Sequence, residues 1–345
     1  MNRIRLAHMD TLSCEPILRR MPNGEMLLVA QCGDVTEPAP DNRVYVFHSG
    51  DEGETWSRPV MIRPEDGKAV YLTEVSLVGK RITVYLTIHT GYFVDWVCDR
   101  LVSEDNGYTW TSIGPIPGYE TYAFPRGMIR LRDGRLMMAM QRYPIDEREN
   151  ARLREGNLRL YTDAMAPYVD NEVIVSSDEG ETWTTLGGAR IPMACEPGRL
   201  WIWSEPTILE LQDGRIAMLL RWGGTGRLYY AESSDGGKTF CPPRPTGIPN
   251  PSNKPKLLRL EDGRIALIHT PNARQGFKGR NPLAVWLSED EMVSFPDRRI
   301  ITDFPGAFCY PDGFSEGDHI HFAIEYNRHD ILYIDADVAK GGRAP

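Results

Sequence analysis

One phrase recurs through the chain. Residues 176–183 read SSDEGETW, and close variants stand at 49–56 (SGDEGETW), 103–110 (SEDNGYTW) and 233–240 (SSDGGKTF). A weaker copy, LSEDEMVSF, occupies 287–295. Ser-x-Asp-x-Gly-x-Thr-aromatic is turn chemistry. The Ser and Asp side chains can bond the loop backbone, Gly accepts positive φ, and Thr re-enters a strand. Each copy follows a strand-like run such as RVYVFHS or EVIVSS, which predicts a hairpin with a pinned loop and the aromatic residue as an apolar plug.

A second repeated unit precedes these turns. It reads EPILRRMPNGEMLLVA (15–30), FPRGMIRLRDGRLMMAM (124–140), EPTILELQDGRIAMLLR (205–221) and KPKLLRLEDGRIALIHT (254–270). Looser versions are TEVSLVGKRITVYLTI (73–88) and YPDGFSEGDHIHFAIEY (310–326). Each is strand, Gly-containing turn, apolar strand. Six such units, each followed by another hairpin, predict an all-β chain, a six-bladed β-propeller of four-stranded antiparallel blades. Residues 1–345 are expected to form one domain, with an insertion at about 143–170 between the third and fourth units. The N-terminal RIRLAHM is expected to pair with the last blade, close the ring and remove a sheet edge.

Bulk composition narrows the function classes. The formal net charge of −9 argues against general nucleic-acid binding, which needs a basic face, and against adsorption to anionic membranes. No apolar run reaches the length of a membrane-spanning helix. MNRIRLAHMD has no secretion-signal pattern, so a cytoplasmic location is expected. The cysteines Cys14, Cys32, Cys98, Cys195, Cys241 and Cys309 are scattered without C-x-x-C spacing and are expected to be reduced and mostly buried.

The repeats resemble the Asp boxes of the sialidase (neuraminidase) superfamily of six-bladed propellers, along essentially the whole chain. That superfamily holds sialidases, exo-arabinanases, polysaccharide lyases and non-catalytic proteins, so the resemblance implies a fold and a site location more than a reaction. In such a ring the starts of the innermost strands meet at the hub. Here those positions are Glu15, Glu74, Phe124 with Arg126, Glu205, Lys254, and Tyr310 with Asp312.

The resemblance assigns roles residue by residue. It implies a Tyr nucleophile assisted by a Glu, since a neutral phenol is not repelled by a substrate carboxylate at the anomeric carbon. Tyr310 and Glu205 stand where that pair is expected. Arg221, sixteen residues after Glu205, and Arg280, thirty before Tyr310, match two of the three arginines that grip the carboxylate, a task suited to the planar guanidinium fork. The first arginine is missing: Cys14-Glu15-Pro16 occupies its place, with Arg19, Arg20 and Arg126 as the cations at hand. Asp41, in PAPDNRVYVFHS, is the best match to the acid/base, with Asp34 behind it. Glu15, Glu74, Arg126, Lys254 and His89 complete the set expected to contact a carbohydrate substrate.

Other chemistry fits less well. His89 and His269 end strands without metal-ligand spacing, though a His–Tyr pair would also suit β-elimination on a uronate. No phosphate loop or dinucleotide fingerprint is present, and no cofactor or metal is expected. Three readings stay open: a sialidase-type hydrolase, another carbohydrate-active enzyme (a two-carboxylate exo-glycosidase using Glu15, Glu74 and Glu205, or a uronate lyase using a His–Tyr pair), and a non-catalytic carbohydrate-binding propeller.

Overall fold

The computed structural model describes residues 2–192 and 203–341; Cys195 lies outside them. Its strands form six four-stranded antiparallel sheets. Blade 1 is built from Ser13–Arg20, Met26–Cys32, Arg43–Ser49 and Val60–Met61. Blade 2 uses Ala69–Val78, Arg81–His89, Val97–Ser103 and Thr111–Ser112. Blade 3 uses Ala123–Arg130, Leu136–Arg142, Tyr168–Ser176 and Thr184–Pro192. Blade 4 follows with Thr207–Glu210, Ile216–Arg221, Arg227–Ser233 and Arg244–Pro249. Blade 5 comprises Lys256–Arg259, Ile265–His269, Ala284–Ser288 and Asp297–Ile300. Blade 6 comprises Phe308–Glu316, His319–Tyr326 and Asp330–Asp337, and the N-terminal strand Arg3–Met9 completes it by pairing with Asp330–Asp337. The ring thus closes with first and last segments of the chain in one sheet, as the sequence predicts.

The second strand of each blade reads as a nearly continuous apolar run because both its faces are covered by neighbouring blades. Met26–Cys32, Ile216–Arg221 and Ile265–His269 are buried throughout. One cluster around Leu27, Val29, Leu72 and Val84 joins blades 1 and 2, and another around Ile268, Val285, Phe322 and Ile334 joins blades 5 and 6. The turns between first and second strands share one device: in the 21–24, 131–134, 211–214 and 260–263 turns the Gly amide donates back three residues at 2.9–3.0 Å. Those glycines hold φ of +88° to +91°, which only glycine adopts without strain.

The repeated Ser-x-Asp turns carry one hydrogen-bond pattern. In residues 176–183 Ser176 Oγ donates to Asp178 Oδ1 at 2.7 Å and accepts from the Gly180 amide at 2.9 Å. Asp178 accepts from the Thr182 amide at 2.9 Å and from its hydroxyl at 2.5 Å. The weak copy keeps the same pattern with Ser294 in place of Thr, and Met292, at φ +68°, in place of Gly. Its deviant sequence therefore costs backbone strain rather than the turn.

The insertion leaves blade 3 between its second and third strands and forms the helices Glu147–Glu155 and Leu160–Asp163. Asp146 caps the first helix, accepting from the Glu149 amide at 2.8 Å. Asn150 bonds Asp95 through both its side-chain atoms, and Arg154 pairs with Asp95 at 2.6 Å. Leu153 and Leu160 enter the aromatic core formed by Phe93, Trp96, Phe124 and Tyr143. The insertion is a fixed part of the rim over blades 2 and 3.

Candidate functional site

The first strands of blades 1, 2, 3 and 6 each shift register near their inner start. Such bulges re-aim side chains. At two of them the backbone is left-handed on a non-glycine residue: Glu15 at φ +47° and Tyr310 at φ +55°. Strain of this kind costs about 1–3 kcal/mol each and persists only where the surroundings enforce it. Both residues point into the hub.

Three side chains from two blades meet there. The Tyr310 hydroxyl donates to Glu205 Oε1 at 3.3 Å and accepts from Arg221 Nη1 at 3.1 Å. Arg221 Nη1 also contacts Glu205 Oε2 at 2.5 Å, and its Nε donates to Ser252 Oγ at 3.0 Å. Glu205 is 1% exposed. Burial works against its ionisation, but Arg221 and Arg126 outweigh that and hold it below the ordinary Glu range. Burial, reinforced by the Glu205 charge, pushes the Tyr310 phenol well up, so it is neutral at ordinary pH.

Arg126 bridges towards a second acid: its Nη1 lies 2.7 Å from Glu15 Oε2, and its Nη2 4.0 Å from Glu205 Oε1. Two further cations have no carboxylate within ion-pair distance among the described residues. Arg280 donates to Cys309 Sγ at 3.1 Å and to the Ser252 carbonyl at 2.9 Å, lies 5.8 Å from the Tyr310 ring centroid, and its buried Nε is unpartnered. Lys254 is buried with no hydrogen bond among the described residues, and burial followed by the Arg126 charge lowers its pKa. Buried charge without a partner is expensive, which marks this side of the hub as prepared for an anion.

Other expected site residues lie elsewhere. Glu74 is spent on structure: its Oε1 takes Arg19 at 2.6 Å and the Val75 amide at 2.9 Å, and its Oε2 takes the Gly127 amide. Asp312 pairs with Lys256 at 2.6 Å and with Arg19. Arg19 thus serves this inner network, while Arg20 pairs with Glu52 and Glu316. His89 accepts from the Gly91 and Phe93 amides at 3.0 and 3.2 Å through Nδ1, and burial lowers its pKa to about 3, so it is a neutral imidazole holding a loop. Asp41 is 80% exposed on the 33–42 loop, with Arg43 at 3.9 Å. Its carboxylate makes no contact with Tyr310, Glu205 or Arg221. Asp34 accepts from the Val35 amide on the same loop.

Glu325 is not marked out by sequence alone. Glu325, opposite Cys309 on the second strand of blade 6, is fully buried, with Arg328 Nε 3.8 Å from its Oε1 and no hydrogen bond to either oxygen among the described residues. Burial pushes its pKa up to about 8 despite Arg280, so it is largely a neutral acid at pH 7. Cys14 and Cys309, also buried, stand in the same inner layer with thiols raised by burial, Cys309 to about 12. No disulfide forms among the described residues. The sequence signal is weak: Gln31, Gln141, Arg221 and Glu325 are polar residues near the ends of second strands, and all four are buried.

A profile of the BNR repeat-like domain matches residues 70–322. The chain is 24% identical to a sialidase of Clostridium perfringens over 335 residues, covering 83% of this chain and 79% of that protein. Among solved structures, a Dyadobacter fermentans protein of unknown function superposes with a TM-score of 0.72 at 18% identity, covering 98% of this chain and 99% of that one. A Hadza microbial sialidase superposes with a TM-score of 0.71 at 17% identity, covering 96% of this chain and 66% of that one.

Proposed function

Because the chain belongs to the BNR repeat-like family, within the sialidase superfamily of six-bladed propellers, we propose that it is a glycoside hydrolase that releases a terminal anionic sugar. Tyr310 is the nucleophile, Glu205 its proton acceptor and Asp41 the acid/base. Arg221, Arg280 and Lys254 bind the sugar's negative group. The observation that carries this reading is the triangle of Tyr310, Glu205 and Arg221 beside two buried cations without carboxylate partners.

The geometry suggests how the charges would work. Glu205 is held ionised by Arg221 and Arg126, which makes it a weak base before substrate arrives. A substrate carboxylate drawing Arg221 towards itself would relieve that hold and make Glu205 a better acceptor for the phenol proton. Arg221 already donates to the phenol oxygen, so negative charge growing there during attack has a donor in place. As the Tyr310–sugar bond forms the glycosidic bond would break, with Asp41 protonating the leaving oxygen; in the second step Asp41, now a carboxylate, would take a proton from the water that cleaves the glycosyl–tyrosine, and Glu205 would return its proton to the Tyr310 oxygen.

Glu15 in the position of the missing arginine argues for an anionic group placed towards Arg280 and Lys254, away from Arg126, which Glu15 occupies. A second reading rests on the same contact. Arg126 spans Glu15 and Glu205, and these two carboxylates could serve a two-carboxylate exo-glycosidase acting on a neutral sugar. A panel of aryl glycosides settles between them: turnover of a sialoside or another anionic glycoside supports the first reading, turnover of neutral furanosides alone supports the second, and no turnover of any member refutes both.

A further inference from the structure

We propose that His8, Asp10 and Cys32 form a binding site for a divalent transition-metal ion of the zinc class, set across the seam where the ring closes. One ligand atom from each residue lies within 4.8 Å of the other two. His8 belongs to the closing strand Arg3–Met9, Asp10 follows it directly, and Cys32 ends the second strand of blade 1. The set therefore joins the last sheet to the first.

The local backbone serves this arrangement. The closing strand breaks register between Leu6 and His8, and that bulge turns His8 towards blade 1. The seam around it is tied by backbone hydrogen bonds: Asp10 N to His329 O at 3.2 Å, Ser13 N to Arg328 O at 3.1 Å, and Gly33 N to Leu12 O at 3.2 Å. Asp10 Oδ1 accepts from the Thr11 amide at 2.6 Å, which orients the carboxylate and leaves Oδ2 for an ion. The His8 ring packs against Phe47 at 4.6 Å, which fixes its orientation in the seam. Arg43, opposite Cys32 on the next strand, turns its guanidinium onto the Pro40 and Asn42 carbonyls.

An imidazole nitrogen, a thiolate and a carboxylate are the donor mixture zinc accepts, with a water in the fourth position. Binding would form a metal–sulfur bond as the Cys32 Sγ–H proton leaves to solvent, with no redox change. The ion would pin the start of the 33–42 loop, whose Asp34 carbonyl already accepts from Thr11 Oγ1 at 2.5 Å. This proposal is independent of the sugar chemistry at the hub.

The test is a titration of chelator-treated, full-length protein with Co²⁺ by absorbance and with Zn²⁺ by calorimetry. One equivalent of each should bind, Co²⁺ with near-ultraviolet thiolate charge-transfer absorption. Cys32→Ser should abolish that band, and Cys32→Ser and His8→Ala should each weaken binding at least about a hundredfold. His329→Ala, an exposed histidine nearby, should leave both unchanged. If Cys32→Ser does not fold, His8→Ala and Asp10→Asn carry the comparison. No stoichiometric binding by the wild type, or binding that survives His8→Ala unaltered, overturns the proposal.

Discussion

The Tyr310 hydroxyl stands 3.3 Å from Glu205 Oε1 although 105 residues separate them in the chain. Arg221 Nη1 touches both. The contact joins blade 6 to blade 4 across the hub, which requires the ring geometry and a bulge that lifts Tyr310 out of the strand plane.

Removing the phenol oxygen should separate chemistry from stability. Tyr310→Phe deletes two hydrogen bonds, one accepted from Arg221 and one donated to Glu205, which should cost about 2–3 kcal/mol, but kcat should fall by about a thousandfold or more. Glu205→Gln should behave differently. It breaks a buried ion pair with Arg221 and should cost about 3–5 kcal/mol of stability as well as activity. Denaturant melts and steady-state rates on the same preparations check both.

Arg280 has no carboxylate partner among the described residues and should matter to binding more than to the fold. Arg280→Ala should lower kcat/KM for a carboxylate-bearing glycoside by about a hundredfold, mostly through KM. A neutral analogue, if turned over, should be affected much less. Equal losses on both would show that Arg280 serves structure alone.

Glu325 gives a pH signature with a definite sign. Its folded pKa of about 8 lies above the ordinary Glu value. Between roughly pH 4.5 and 8 the unfolded chain gives up this proton while the folded chain keeps it, so stability should decline as pH rises through that window. Glu325→Gln cannot ionise and should remove that decline. The variant should gain on the wild type by a few kcal/mol at most between pH 5 and 8, as read from denaturation midpoints. A parallel pH dependence in the two proteins would contradict the placement of Glu325.

Asp41 sits on an exposed loop with Arg43 at 3.9 Å. If it donates the proton to the leaving group, Asp41→Asn should slow substrates with poor leaving groups by about 10²–10⁴-fold. Activated aryl glycosides, which leave without help, should be slowed far less. Indifference to the leaving group would remove Asp41 from the mechanism.

The legibility of the sequence followed the range of the interactions. The Ser-x-Asp turns could be read directly because every bond in them spans at most four residues, as between Asp178 and Thr182. Convergence of Glu205, Arg221 and Tyr310 could be read because repetition turns sequence position into ring position. Glu325 could not be singled out so easily, since a lone Glu in HFAIEY looks like an ordinary strand residue until Cys309 and Arg280 are seen packed around it. The engagement of Glu74 by Arg19 and Gly127 was equally hidden, because its partners come from blades 1 and 3. His89, read as a hub contact, binds loop amides two and four residues ahead, and the aromatic residues around it exclude the water a charged imidazole would need.

The central claim is that Tyr310 attacks the sugar. A fluorinated sialosyl fluoride, which forms the glycosyl–enzyme faster than water removes it, should add one sugar mass to the protein. Peptide mapping should place it on Tyr310, and Tyr310→Phe should take up none. A label on Glu205 or Glu15, or an unlabelled wild type that still hydrolyses sialosides, would contradict the account.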